Sequence, residues 1–305
     1  MGILSHHLDI LFSEVSKNNF IKDKHVLCLS QQSVHFTLDQ VYKLAKQHND
    51  LILSDLPKNF DTKNKIPSWV GTKSENNTNA QTLFKLLGAA KVSTCDISQY
   101  ENPDFLIDLN NPINPNLVNK FDVIFDCGTL EHIFDVPTAL WNLVSMLKTN
   151  GVLYLAVPAS NSIDHGFYSF SPGLFFDYFN VNGFEVLSCY LFEGSPIFYN
   201  KIGKLYKYNG IGSQIPILSA AAIDVITILK KSRSLTKATK PIQSVYKKKS
   251  SNIVSQDSLL KKKINAYAFT SLALVQNFLP KWLEIMIVKL RNKRGKNNIN
   301  FIKKI

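Results

Sequence analysis

Apolar positions along this chain follow two rhythms. Short runs rich in β-branched and aliphatic residues cover 25–29, 91–95, 105–107, 121–125, 152–157, 184–192 and 222–229, and each predicts a strand. Apolar residues at three- and four-residue spacing cover 38–47, 80–87, 136–147 and 172–179, and each predicts a helix. In the first of these, Leu38, Val41, Tyr42 and Ala45 share one face. The punctuation agrees. Gly88 follows 80–87 as a helix-ending glycine does, Pro137 suits a first turn, Gly151 follows the end of 136–147, and Ser171 stands before Pro172 as an N-cap. Residues 49–79 are polar with little period and read as a long insertion, partly loop. The order βα, β, β, βα, βα, β, β predicts a doubly wound α/β sheet with parallel centre strands.

After residue 231 the rhythm is lost. Residues 232–257 are rich in Ser, Lys, Thr and Gln and read as a basic linker. Apolar spacing returns over 264–290, which predicts a basic amphipathic helix or helix pair. The organisation expected is a domain at 1–231, with its insertion, and a basic helical extension at 232–305.

Composition sharpens this division. The chain has 305 residues, 45% hydrophobic and 19% charged, which excludes a wholly disordered chain, a collagen-like fibre and a disulfide-dense mini-protein. Of the 35 Lys and Arg, 19 fall from Lys230 onward against Asp257 and Glu284 alone, so the tail carries +17 and the first 229 residues −5. A basic tail seeks polyanions, either nucleic acid or an anionic membrane, or is simply a solvated segment. The face with Trp282, Leu283, Ile287 and Leu290 suits a membrane surface, a partner helix in a dimer, or packing on the α/β domain. The N-terminus lacks the basic and apolar regions of a secretory signal. It departs from a myristoylation signal at His6, where Ser or Thr is wanted. The longest apolar candidate for a membrane span, 268–290, is broken by Pro280, Lys281 and Glu284. Cys28, Cys95, Cys127 and Cys189 form no CxxC pair and are expected in buried strands, as in a reducing cytosol. The expected location is therefore cytoplasmic, peripheral to the membrane if the tail binds lipid.

Open α/β sheets hold ligands beyond the carboxyl ends of their strands. Three expected strand ends here carry acids: Asp96, Asp108 and Asp126. An acid after the second strand is placed to accept from a ribose diol, and one after the third from an exocyclic purine amine. Capping of the local turns is the alternative for all three.

The segment 121–132 (FDVIFDCGTLEH), followed by Ala139-Leu140, Met146-Leu147-Lys148 and 151–158 (GVLYLAVP), resembles class I S-adenosylmethionine-dependent methyltransferases over roughly 24–231. The segment 165–172 (HGFYSFSP), with Asp96-Ile97-Ser98 and Asp108-Leu109-Asn110, resembles a little-characterised bacterial group associated with surface-polysaccharide gene clusters. The resemblance implies a Rossmann-like methyltransferase sheet whose last strand is antiparallel. It implies S-adenosylmethionine as cofactor, with Asp96 at the ribose, Ile97 among the cofactor-binding residues, Asp108 and Leu109 at the adenine, and Asp126, Cys127 and Gly128 beside the methionine end or the acceptor. Leu29, Ser30, Gln31 and Gln32 stand in place of the glycine-rich first loop, with no glycine among them.

Methyl transfer from a sulfonium needs in-line positioning more than a strong base. His165, in the loop after a strand's carboxyl end, is the candidate to take a proton from an acceptor hydroxyl, or else it pins the loop. Glu131 is expected to stabilise a helix N-terminus and His132 to be packed or hydrogen-bonded. The run Phe167, Tyr168, Phe170, Phe175 and Phe176 reads as an acceptor wall or as core, with core favoured for the last two. There is no Asn/Asp-Pro-Pro-aromatic after the fourth strand, no Pro before Cys127, no His/Cys metal spacing and no G-x-G-x-x-G loop. The expected function is methyl transfer to a hydroxylated small molecule or glycan. The alternatives are a binding or scaffold module on a degenerate methyltransferase fold, supported by the glycine-free loop, and an RNA-directed methyltransferase guided by the tail.

Overall fold

A computed structural model describes residues 2–48, 51–62, 77–194, 203–210, 219–246, 286 and 300–304. In chain order the elements are β1 (Gly2–Ile3), α1 (Ser5–Asn18), β2 (His25–Leu29), β3 (Ser33–Val34), α2 (Leu38–Ala45), α3 (Ala80–Leu86), β4 (Lys91–Asp96) and β5 (Phe105–Leu106). They continue with β6 (Phe121–Cys127), α4 (Val136–Met146), β7 (Leu147–Ser160), α5 (Pro172–Val181), β8 (Phe184–Gly194), β9 (Gly203–Lys207), β10 (Ile223–Lys231) and β11 (Asn300–Lys304).

Among the described residues the main sheet runs β11-β9-β8-β10-β7-β6-β2-β4-β5. The five strands β5, β4, β2, β6 and β7 are parallel. β10 inserts antiparallel between β7 and β8, and β9 and β11 extend that edge in antiparallel fashion. From β2 the chain winds outward to β4 and β5 on one side and to β6 and β7 on the other. The fold is a doubly wound Rossmann-like sheet, and β2 marks its topological switch point.

Side-chain alternation along the strands divides the core into two layers. Leu27 and Leu29 of β2 and Leu153, Leu155 and Val157 of β7 pack with α4 and α5. Val26 and Cys28, with Val152, Tyr154 and Ala156, pack with α1, α2 and α3. All four cysteines are free and buried.

Every strand and helix expected over 25–47 and 80–231 is present, with shifted ends. β7 begins at Leu147 rather than 152, because α4 passes into it without an intervening loop. The 14-residue helix α1 is the main element that periodicity missed. Its buried side includes His6, His7, Asp9 and Glu14, which blur the apolar stripe. The insertion is irregular over 51–62 and rejoins the domain where Thr78 N–H donates to Phe36 O. The helix expected over 264–290 and the two lysine triplets lie outside the described residues, Met286 excepted. The extension is not wholly helical, since 300–304 form an edge strand against β9. No helix among the described residues is long and apolar enough to cross a membrane.

Candidate functional site

The carboxyl ends of β2, β4 and β6 surround a pocket of about 150 Å³, lined by Ser30, Cys95, Asp96, Ile97, Ile107, Asp108, Leu109, Asn110, Thr129, His132 and Ile133. It lies at the switch point, where a parallel sheet leaves a crevice. Ile97, Ile107, Leu109 and Ile133 supply apolar wall; Ser30, Asp96, Asp108, Asn110, Thr129 and His132 supply polar groups.

Five of the expected residues, Ser30, Asp96, Ile97, Asp108 and Leu109, meet in this pocket. Asp96 ends β4, and its Oδ1 accepts from Ser98 N–H at 2.9 Å. Ile97 is largely exposed beside it. Asp108 accepts from Asn110 N–H and Nδ2 at 2.9 Å and from Asn111 Nδ2 at 2.7 Å. These bonds, the Asn110 side chain first, hold its carboxyl below the usual range. Ser30 sits at φ 59, the left-handed region where a glycine-rich loop carries glycine. Its Oγ is 3.3 Å from Thr129 Oγ1, which donates to Leu29 O at 3.0 Å.

The other expected residues stand outside the lining. Leu29 is fully buried and contributes its carbonyl to Thr129 and Gln32. Gln32 folds back under the loop, donating to Leu29 O and to Ser30 Oγ. Gln31 Nε2 donates to Glu101 O at 3.3 Å, tying the loop after β2 to the loop after β4. Asp126 is buried and turned to the next loop, accepting from Thr129 and Leu130 N–H at 2.9 and 3.2 Å. Cys127 points to the opposite face of the sheet, with Sγ 3.0 Å from His7 Nδ1. Gly128, at φ 95, makes the turn that follows.

Beyond β6 a single turn, Leu130–His132, carries the acid and imidazole. Here the expectation for Glu131 is corrected. It caps no helix; Asp135 caps α4, accepting from Thr138 N–H. Glu131 is fully buried, and its two carboxylate oxygens have no hydrogen-bond partner among the described residues. Burial pushes its carboxyl well above the usual carboxylate range, and the charge of Asp126 adds to this. His165 Nε2 lies 3.5 Å from Glu131 Oε1 and His132 Nε2 3.8 Å from it. His132 is half exposed rather than packed, and the two rings are 5.3 Å apart. Burial lowers both histidines, which favours the neutral imidazole.

The loop after β7 is pressed onto Glu131. Phe167 and Tyr168 N–H both donate to Glu131 O, at 2.8 and 3.2 Å. Gly166 allows this approach, since a Cβ there would lie 2.8 Å from Glu131 O. The aromatic run divides: Phe170 and Phe175 are core, Phe176 packs on Tyr208, and Phe167 and Tyr168 stay at the surface. Cys95, Ile107, Asn110, Thr129, His132 and Ile133 complete the lining and were not expected in it, although Asn110, Thr129 and His132 lay inside the quoted motifs.

A second cavity, about 480 Å³, lies at the amino end of the sheet between Trp141, Pro115 and Lys231. Lys231 Nζ donates there to Val144 O at 2.7 Å, Leu147 O at 2.6 Å and Asn119 Oδ1 at 3.4 Å. Its donors are matched by two backbone carbonyls and the Asn119 amide oxygen.

No protein-family profile matches the sequence, and no curated protein matches it. Solved structures do. A branched-chain polyamine synthase from Thermus thermophilus is 11% identical, with a TM-score of 0.35, over 80% of this chain and 62% of its own. This chain thus spans about three-fifths of that protein's length. A 1,6-didemethyltoxoflavin-N1-methyltransferase from Burkholderia thailandensis is 11% identical, with a TM-score of 0.37, over 75% of this chain and 80% of its own. The YcgJ protein from Bacillus subtilis is 11% identical, with a TM-score of 0.40, over 75% of this chain and all of its own.

Proposed function

We propose that this protein transfers a methyl group from S-adenosylmethionine to a hydroxylated small molecule or glycan. The observation that carries the reading is the convergence of Ser30, Asp96, Asp108 and Leu109 in one pocket at the switch point, which His132 joins to Glu131 and His165. Asp96 holds the ribose, Asp108 and the Leu109 backbone frame the adenine, and Ile97 covers the base. His165 meets the acceptor hydroxyl. Calorimetry with S-adenosylhomocysteine tests the first half: binding is expected, and Asp96→Ala should weaken it by about 1.5–3 kcal/mol, the loss of a hydrogen bond to a charged group. Absence of binding at millimolar ligand would end this reading.

One observation favours a second reading, a methyltransferase fold that no longer takes cofactor. The pocket's 150 Å³ falls short of the roughly 300–1,000 Å³ typical of small-molecule sites, and the Gln31–Glu101 bond ties two of its loops together. Gln31→Ala separates the two. If the bridge narrows a working site, this substitution strengthens S-adenosylhomocysteine binding; if the site is lost, neither protein binds.

A further inference from the structure

We infer that Glu131, His132 and His165 bind a divalent transition-metal ion, which holds oxygens of the acceptor beside the cofactor pocket. The metal site stands on its own geometry; its role toward an acceptor rests on the methyl-transfer reading.

The donor set is two imidazoles and one carboxylate, with the three ligating atoms all within 4.8 Å of one another. A cation with bonds of about 2.0–2.2 Å places neighbouring ligands roughly 3 Å apart. The separations of 3.5 and 3.8 Å from Glu131 Oε1 to the two Nε2 atoms close to that value with small side-chain adjustments. A second, independent observation points to a ligand. Neither oxygen of the fully buried Glu131 has a hydrogen-bond partner among the described residues, the nearest nitrogens being those of His165 and His132. A buried carboxylate without a donor is costly, and a cation supplies what it lacks. Its position is also imposed, because Phe167 and Tyr168 N–H hold its backbone and Gly166 lets the loop close on it.

The arrangement has a floor and a rim. Glu131 is buried, while the side chains of His132 and His165 are 45% and 36% exposed. An ion reaches the site from solvent, and three ligands on one side leave its other positions open toward the pocket that His132 lines. Two histidines and one carboxylate with open positions suit first-row divalent ions. The other three-residue group, His6, His7 and Asp224, is buried throughout, packed between α1 and the sheet, and offers no such mouth.

A bound ion changes what His165 does. Its Nε2 lone pair goes to the metal, so it does not serve as the free base. The acceptor hydroxyl, coordinated beside it, has its pKa lowered and gives its proton to water. Its oxygen then forms the O–CH3 bond as the S–CH3 bond breaks, and the sulfonium leaves as a neutral thioether.

The test is titration of the chelator-stripped full-length protein with Mn2+ alone, reading loss of the free-ion signal by electron paramagnetic resonance. One site is expected. Glu131→Gln, an isostere, and His165→Gln, at a part-exposed position, should each weaken it by at least the roughly ten- to hundredfold that loss of a group supporting a ligand costs. His48→Ala, which removes a histidine paired with Asp9 elsewhere, should leave it unchanged. No binding at millimolar Mn2+, or several weak sites indifferent to both substitutions, would overturn the proposal. S-adenosylhomocysteine binding without Mn2+ binding sinks the metal site alone. Mn2+ binding without S-adenosylhomocysteine binding keeps the metal site and removes its role in methyl transfer.

Discussion

Two buried glutamates show how differently this fold treats the same side chain. Glu14 of α1 accepts from Lys17 Nζ at 2.7 Å and Tyr190 OH at 2.8 Å on one oxygen, and from Ser188 Oγ at 2.8 Å on the other. Burial alone would raise its carboxyl, but these bonds outweigh burial and hold it below the usual range. Glu131, equally buried, has no hydrogen-bond partner on either oxygen among the described residues and is pushed the other way. One glutamate is a fastener between α1 and β8. The other carries polarity without a hydrogen-bond partner beside the candidate site. The two cavities differ in the same way: in the larger one the Lys231 ammonium has its hydrogen bonds made, while the smaller one adjoins the carboxylate of Glu131, whose oxygens have no hydrogen-bond partner among the described residues. Polarity without a partner, rather than volume, is the feature on which the candidate site is proposed.

The comparison can be broken by substitution. Glu14→Leu should have the largest effect, about 3 kcal/mol of lost stability by denaturant unfolding, because two buried hydroxyls lose their acceptor. A loss under 1 kcal/mol would mean that α1 is held by its apolar face alone. Gly166→Ala should cost about 2 kcal/mol, since its Cβ meets the Glu131 backbone and the loop must shift. Unchanged stability together with unchanged Mn2+ affinity would show that the close approach does not position Glu131.

Acid should probe the N-terminal helix next. Burial pushes His6 down to about 3 and His7 well below its ordinary value, so below pH 6.5 the unfolded chain binds more protons than the folded one. Stability from this source is present above pH 6.5 and is lost as pH falls from there toward 3. The loss is up to about 1.4 kcal/mol per pH unit for each histidine. His6→Gln should flatten the decline in urea midpoints between pH 6 and 4; the same slope in both proteins would contradict the burial of His6. The smallest effect is expected for Glu131→Gln in chelator-treated protein at pH 7, within about 0.5 kcal/mol of the parent or slightly stabilising, since no donor is lost. Glu14→Gln, which leaves its partners facing an amide, should cost distinctly more. Equal costs for the two would erase the distinction.

The central strands and α2 to α5 were legible because their information is local. The period of 2 in β2 and β7 and the three- to four-residue spacing of α4 appear within a few consecutive residues, whatever surrounds them. The strand-end positions of Asp96 and Asp108 were legible for the same reason. α1 was not legible. Its His6, His7, Asp9 and Glu14 read as solvent-facing until Ser188, Tyr190 and Asp224, more than 170 positions away, come to lie against them. Asp126 and Cys127 are adjacent in sequence, but one turns to the loop after β6 and the other to His7 on the far face, a division made by the pleat and by what packs on each side. The meeting of Glu131 with His165 likewise belongs to the tertiary structure. Thirty-three residues separate them, α4 and the whole of β7 lie between, and only the parallel return of β7 beside β6 brings the loop of Gly166 down onto a carboxylate that the local sequence had marked as a helix cap.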